Sequence, residues 1–276
     1  MMKCSLFILI LLIPMMALAE LPLDVVFDID LTIVTRVDDG PHGDMLADPT
    51  DPRRGTVDIN FLEPEYDRQN RPLGNRTTPR NERYRIYDGM TDLMEKLKVL
   101  QQEGKVRVTF FSGGPEARNE ALLRTIKMRD GSSLWDLASG RVHGRTALTP
   151  TGVPSRMRIR DRFKKDLTRV NPDLNDVIII DDIKEFVPVD QRENLLWIGE
   201  EFPYPERVHH PPSVIDPEGL EREKTKFQWI SRELEMAINR RIETGRPLKS
   251  IIQEVVTPVR PTSCSVFSIM AKLLGQ

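Results

Sequence analysis

Asp28 and Asp30 stand two residues apart at the end of an apolar run, Val25-Val26-Phe27-Asp28-Ile29-Asp30-Leu31-Thr32-Ile33-Val34. Carboxylates can attack phosphorus, carry protons and ligate hard cations. A pair that reaches one site where its strand ends and coils therefore suits a nucleophile and an acid/base partner sharing one phosphoryl group and one metal ion. Taken alone, D-x-D-x-T reads equally well as a buried strand followed by a solvated acidic turn. Other segments must supply the missing parts, and three candidates do so: Ser112-Gly113-Gly114 behind Val106 to Phe111, which reads as a buried strand, the lysines of Phe163-Lys164-Lys165-Asp166-Leu167, and Asp181-Asp182 behind Val177-Ile178-Ile179-Ile180.

The elements that must position these groups alternate between helix and buried strand, the pattern of an α/β fold with a doubly wound, Rossmann-like parallel sheet. Met90, Leu93, Met94, Leu97 and Leu100 recur at helical spacing, with Asp88 as the expected N-cap and Gly104 as the stop. Pro115 suits the first turn of a helix carrying Ala117, Ala121, Leu122 and Ile126. Asp166 to Val170 reads as a short helix closed by Asn171-Pro172, and Leu195 to Ile198 as a short strand. Phe227, Ile230, Leu234 and Ile238 mark a long helix between Leu220 and Ile242, and Leu248, Ile251, Ile252 and Val255 a shorter one. Both are expected on the outside of the sheet. In parallel sheets of this kind ligands bind at the carboxyl ends of the strands, where Asp28, Ser112 and Asp181 would converge.

Two stretches lack sustained periodicity. Thr35 to Arg83 is polar and rich in Asp, Arg, Pro and Gly; because it leaves from the aspartate-bearing strand, it is expected to form a flap or small cap over the site, with regular structure resuming at Asp88. Arg141 to Arg162 carries arginines at 156, 158, 160 and 162, which in an extended strand would line one solvated basic edge.

The 276 residues, 39% hydrophobic and 30% charged, suffice for one substantial domain, expected over 20–215 with the insertion at 35–83, while 216–276 adds C-terminal helices and a tail that need not be ordered. A net charge of −2 gives no basic field for nucleic acid. Lys3, the apolar run Leu6 to Ile13 and Ala17-Leu18-Ala19 together read as a signal peptide cleaved after Ala19, which implies a secreted or periplasmic protein. That run, interrupted by Pro14, falls short of the roughly 20 residues a spanning helix needs, so no stable membrane insertion is expected after cleavage. Cys4 would leave with the peptide, and Cys264 alone cannot form an internal disulfide. His42, His143, His209 and His210 lack metal-ligand spacing.

The ordered set Asp28-x-Asp30-x-Thr32, Ser112, a lysine, and Asp181-Asp182 resembles the four motifs of the haloacid-dehalogenase superfamily. Within it, Lys165-Asp166-Leu167 ahead of Val177 to Asp182, and Tyr84-Arg85-Ile86-Tyr87-Asp88-Gly89-Met90 leading into a helix, are similar to the NLI-interacting-factor-like branch, which includes small phosphatases acting on the RNA polymerase II C-terminal domain. On that resemblance Lys165 rather than Lys164 is the motif lysine. The likeness covers Leu23 to Ile198. Ile29, Leu31 and Ser112-Gly113-Gly114 depart from the branch's usual residues, and secreted bacterial acid phosphatases of the superfamily, which share a Phe-Asp-Ile-Asp start, are a second template.

The resemblance implies a phosphomonoester hydrolase with Mg²⁺ as cofactor. Asp28 would be the nucleophile forming an aspartyl phosphate, Asp30 the acid/base, and Lys165 the cation that steadies Asp28 and the phosphoryl oxygens. Thr32, Ser112 and Gly113 would hold the substrate. Asp28, the Asp30 carbonyl and Asp181 or Asp182 would ligate the metal. The substrate would be a phosphorylated small molecule or a phosphopeptide. Asp30 favours phosphoryl transfer over dehalogenation, because halide leaves without a proton. The competing expectation is a non-catalytic protein that keeps the fold for binding; loss of Asp28 or Lys165 would have marked it.

Overall fold

The computed structural model describes residues 22–37, 55–67, 71–154, 156–199, 202 and 217–256. The proposed signal peptide, Cys4, Cys264, His42, His209, His210, part of the Thr35–Arg83 stretch and the C-terminal tail lie outside them. Among the described residues, ten strands and six α-helices follow in chain order: β1 (Leu23–Phe27), β2 (Val34–Val37), β3 (Thr56–Tyr66), β4 (Pro72–Ile86), α1 (Met90–Gln102), β5 (Val106–Phe111), α2 (Glu116–Thr125) and α3 (Leu134–Ala138). Then come β6 (Val142–His143), β7 (Thr149–Pro150), α4 (Ile159–Arg162), β8 (Phe163–Lys164), β9 (Val177–Asp181), β10 (Leu195–Trp197), α5 (Pro217–Thr244) and α6 (Leu248–Val256).

The expected parallel sheet is present, with strand order β10-β9-β1-β5-β6. Its centre, β1, is buried along its whole length, as a strand covered on both faces must be. Val25, Phe27, Val108, Phe110, Ile178 and Ile180 face one apolar cluster, shared with α1, α2, α5 and α6. Val26, Phe111, Val177 and Ile179 face the other, which is closed by Leu148, Phe163, Leu167 and Val187. The long helices thus lie on one face. Short 3₁₀ turns and loops cover the second.

Helix α1 ends as expected: Gly104 takes the left-handed conformation (φ 74°), and Lys105 N–H bonds back to the Leu100 carbonyl. Its start differs, because Gly89 (φ 76°) and not Asp88 occupies the N-cap. A Cβ at Gly89 would stand 3.3 Å from the Phe227 Cβ, so the missing side chain lets α5 approach. In α2, Pro115 is the N-cap, and the buried stripe is Arg118, Asn119, Leu122 and Leu123.

The polar insertion is more regular than its composition suggests. β3 pairs antiparallel with β4 from Thr56↔Arg85 to Tyr66↔Pro72, and β2 joins on the other side of β4. Val57, Ile59 and Phe61 turn toward the core while Asp58, Asn60 and Leu62 face outward. Arg83 pairs with Asp58 at 2.7 Å and Arg80 with Glu63 at 2.6 Å across the strands. Such exposed pairs add little stability, and the inward face sets the register. The basic edge expected at 156–162 does not form. Ile159–Arg162 is a turn of helix, so the arginines do not alternate along one strand.

Phe227, Ile230, Leu234, Ala237 and Ile238 of α5 are buried in the same cluster as β1 and α1. Phe227→Ala should therefore cost about 3–5 kcal/mol in denaturant unfolding, within one cooperative transition. A cost below about 1 kcal/mol, or a separate transition for the C-terminal helices, would contradict this packing.

Candidate active site

Strand parity brings the acidic groups together. Phe27 is level with Ile180, and the Asp28 N–H continues the ladder to the Ile180 carbonyl at 3.0 Å. Asp28 follows Val26, and Asp181 follows Ile179, onto the face that carries β8. Directly after β8, the Lys165 N–H is fixed to the Phe186 carbonyl at 2.7 Å. The Lys165 Nζ, 1% exposed, lies 2.7 Å from Asp28 Oδ1 and 2.7 Å from Asp181 Oδ2. Lys164 points elsewhere, donating to the Arg160 and Glu185 carbonyls.

One ammonium serves more negative charge than it can balance. Asp28, Asp181 and Asp182 each offer an oxygen within 4.8 Å of the others'. Asp181 is satisfied by Lys165 and by the Ile183 N–H at 2.8 Å. The Asp182 carboxylate keeps one buried oxygen with no hydrogen-bond partner. Burial pushes the Asp28 carboxyl up to about 7; Lys165 opposes the rise and Asp181 adds to it. Asp182 is likewise pushed well up, by burial first and then by Asp181 and Asp28. Burial works against the charged form of Lys165, yet its two carboxylate neighbours hold it above the usual lysine range.

Beyond Asp28 the chain sets Asp30 beside the end of β5 and then turns sharply, with Leu31 left-handed at φ 59°. The Ser112 hydroxyl donates to Asp30 Oδ2 at 3.1 Å and accepts from the Gly114 N–H at 3.0 Å. The Gly114 N–H is therefore committed to Ser112. Thr32 and Ser112 are both sealed from solvent, and the Thr32 hydroxyl has no hydrogen-bond partner. Gly113 has room around it: an added Cβ would meet only Phe186, at 3.9 Å.

Two buried cations at this edge were not anticipated. Arg118 of α2 forms a two-pronged pair with Asp30, NH1 to Oδ1 at 2.5 Å and NH2 to Oδ2 at 2.6 Å. Burial opposes the ionised Asp30, but the guanidinium outweighs it and holds the carboxyl below its usual value. Lys226 of α5 donates to the Leu31 carbonyl and stands 3.6 Å from the centre of the Tyr87 ring. Its charge also opposes the rise at Asp182. Both had a sequence signal. Arg118 shares a helical stripe with Leu122 and Ile126, and Lys226 one with Ile230 and Ala237, so each is a charge on an apolar face.

No protein-family model and no curated protein matches the chain. Solved structures resemble it, two of them as follows. One is Fcp1, an essential RNA polymerase II CTD phosphatase, with TM-score 0.41 and 19% identity over 83% of this chain and 56% of that one. The other is fission yeast RNA polymerase II CTD phosphatase Fcp1-R271A bound to beryllium fluoride, with TM-score 0.44 and 15% identity over 91% and 66%. The chain thus spans 56–66% of the length of these structures. At such identities and scores the likeness carries nothing about chemistry, which rests on the residues above.

Proposed function

We propose that the chain is a Mg²⁺-dependent phosphomonoester hydrolase that works through an aspartyl phosphate on Asp28 and is exported from the cytoplasm by the segment ending at Ala19. The observation that carries the reading is the charge imbalance around Lys165: one ammonium against Asp28, Asp181 and Asp182, with a buried Asp182 oxygen left unpartnered. Three hard oxygen donors fit Mg²⁺, and Asp28, Asp181 and Asp182 would hold it, with the Asp30 carbonyl as a further ligand by the superfamily resemblance. When bound, the ion supplies the positive charge that lets a dianionic phosphoryl group approach clustered carboxylates.

The chain's own residues do the rest. An Asp28 oxygen attacks phosphorus in line as the bond to the leaving oxygen breaks, which divides one hydrolysis into two displacements. Lys165 stays charged beside Asp28 and offsets negative charge on the transferring group. Asp30 handles protons: it donates to the leaving oxygen and then accepts from the attacking water. Its pair with Arg118 favours the ionised form, which suits the second step as it stands. An aryl oxide leaves without needing a proton, so an aryl phosphate is a fitting first substrate. The natural substrate is a phosphorylated small molecule or a phosphopeptide.

The chain without residues 1–19 should hydrolyse p-nitrophenyl phosphate with Mg²⁺ and lose the activity in EDTA, and Asp28→Asn should lower kcat on the order of a thousandfold or more. Equal rates for Asp28→Asn and the parent would contradict the choice of nucleophile. No turnover across a broad phosphoester panel would favour a binding protein.

Metal binding has a separate readout. The Asp28 pKa is raised from 3.8 to about 7, so between these values the folded chain holds a proton that the unfolded chain releases. Stability without metal therefore falls as pH rises from about 4 through 7. Mg²⁺ binds the ionised carboxylates and compensates their burial, so its addition should raise Tm more at about pH 8 than at about pH 5. Equal shifts at both pH values, or none at either, would contradict a carboxylate metal site.

A further inference from the structure

Arg118 is 4% exposed, and every hydrogen bond it makes at this edge goes to a group beside the phosphoryl site. Besides the two-pronged pair with Asp30, NH2 lies 3.2 Å from the Ser112 hydroxyl and NH1 3.4 Å from the Tyr84 hydroxyl. The guanidinium carbon stands 5.8 Å from the Tyr84 ring centre. The Asp30 side chain, by contrast, is 47% exposed and is gripped from the protein side. Tyr84 is tied in turn to Glu82 at 2.5 Å, and Glu82 to Arg36 at 3.0 Å. The grip thus runs back into the β2–β4 sheet.

Space for Arg118 is built into the turn after β5. A Cβ on Gly114 would lie 1.7 Å from NH2 and 2.6 Å from the guanidinium carbon. No side chain fits there while Arg118 holds its place. Gly114 does not have a positive φ, so a left-handed backbone does not explain it; the guanidinium does.

We propose that Arg118 is a positioning residue for the hydrolysis proposed above, acting through Asp30, and that Gly114 is required as the channel through which it reaches that carboxylate. A planar two-pronged donor fixes both the place and the tilt of a carboxylate, which a lysine ammonium would not. Asp30 must reach the leaving oxygen and later the attacking water without turning away. A misplacement of about 1 Å at such a group can cost on the order of a hundredfold in rate. Arg118 touches neither Asp28 nor Lys165, so its effect passes through Asp30.

A double-mutant cycle tests this on p-nitrophenyl phosphate with Mg²⁺, with kcat and KM measured for each protein and folding followed by thermal unfolding. Arg118→Met should lower kcat by roughly tenfold or more with KM changed by less than about threefold. In an Asp30→Asn background the same substitution should change kcat by less than about threefold, because the group it positions is gone. Gly114→Ala, which keeps the guanidinium but takes its space, should reproduce the kcat loss and stands in for Arg118→Met if that variant fails to fold. An equal loss in both backgrounds, no loss in either, or full activity in Gly114→Ala would overturn the proposal. Absence of turnover in the parent protein would instead defeat the proposed function, and this inference with it.

Discussion

A single buried ammonium, that of Lys165, sits 2.7 Å from each of two carboxylates at the end of the central sheet, and the surrounding architecture follows from the need to bring these three groups together. Burying one charge in an apolar interior is prohibitive; burying it between partners is tolerable only where the geometry is fixed. The parallel register supplies that fixity, because β1 and β9 run level and deliver Asp28 and Asp181 to the same face. The segment after β8 brings Lys165 against that face, and its N–H bond to Phe186 holds it there.

Around this triad the charges form a graded set. Asp182 adds a negative group that Lys165 does not satisfy, which leaves the cluster short of positive charge. Arg118 and Lys226 compensate from outside. The first grips Asp30, and the second fastens the carbonyl of the next residue, Leu31, at the left-handed turn. Two helices on the same face of the sheet thus hold adjacent residues of one short loop. The deficit beside Asp28 is where a dication and a phosphoryl group would add to the set.

Much of the sheet edge was legible because β1 and β9 are apolar runs ending abruptly in acidic residues, Val25 to Asp28 and Val177 to Asp181, and because β5 runs into Ser112. A buried parallel strand leaves that signature, and its carboxyl end is where the polar residue falls. The choice of Lys165 over Lys164 came from a resemblance, since two adjacent lysines look alike in sequence; the bond from Lys165 N–H to Phe186 is what turns one inward. β3 and β4 were missed for a different reason. Pro64, Pro72 and Pro79 suppress a strand reading, yet among the described residues Pro79 is paired with β3 alone, since the described part of β2 reaches only to Arg83. The alternation Val57-Asp58-Ile59-Asn60-Phe61 was present but outweighed by the polar composition around it. Arg118 and Lys226 escaped because a charge in a helix is ordinarily solvated, and only its place on an apolar stripe marks it as buried.

The most direct measurement of the central claim is mass spectrometry of the protein quenched in acid during turnover of an aryl phosphate, after proteolysis. One phosphoryl group should appear on the peptide containing Asp28, sensitive to hydroxylamine as an acyl phosphate is, and be lost in Asp28→Asn. A phosphoryl group on any other residue, or hydrolysis with no covalent adduct under conditions that trap one, would contradict it.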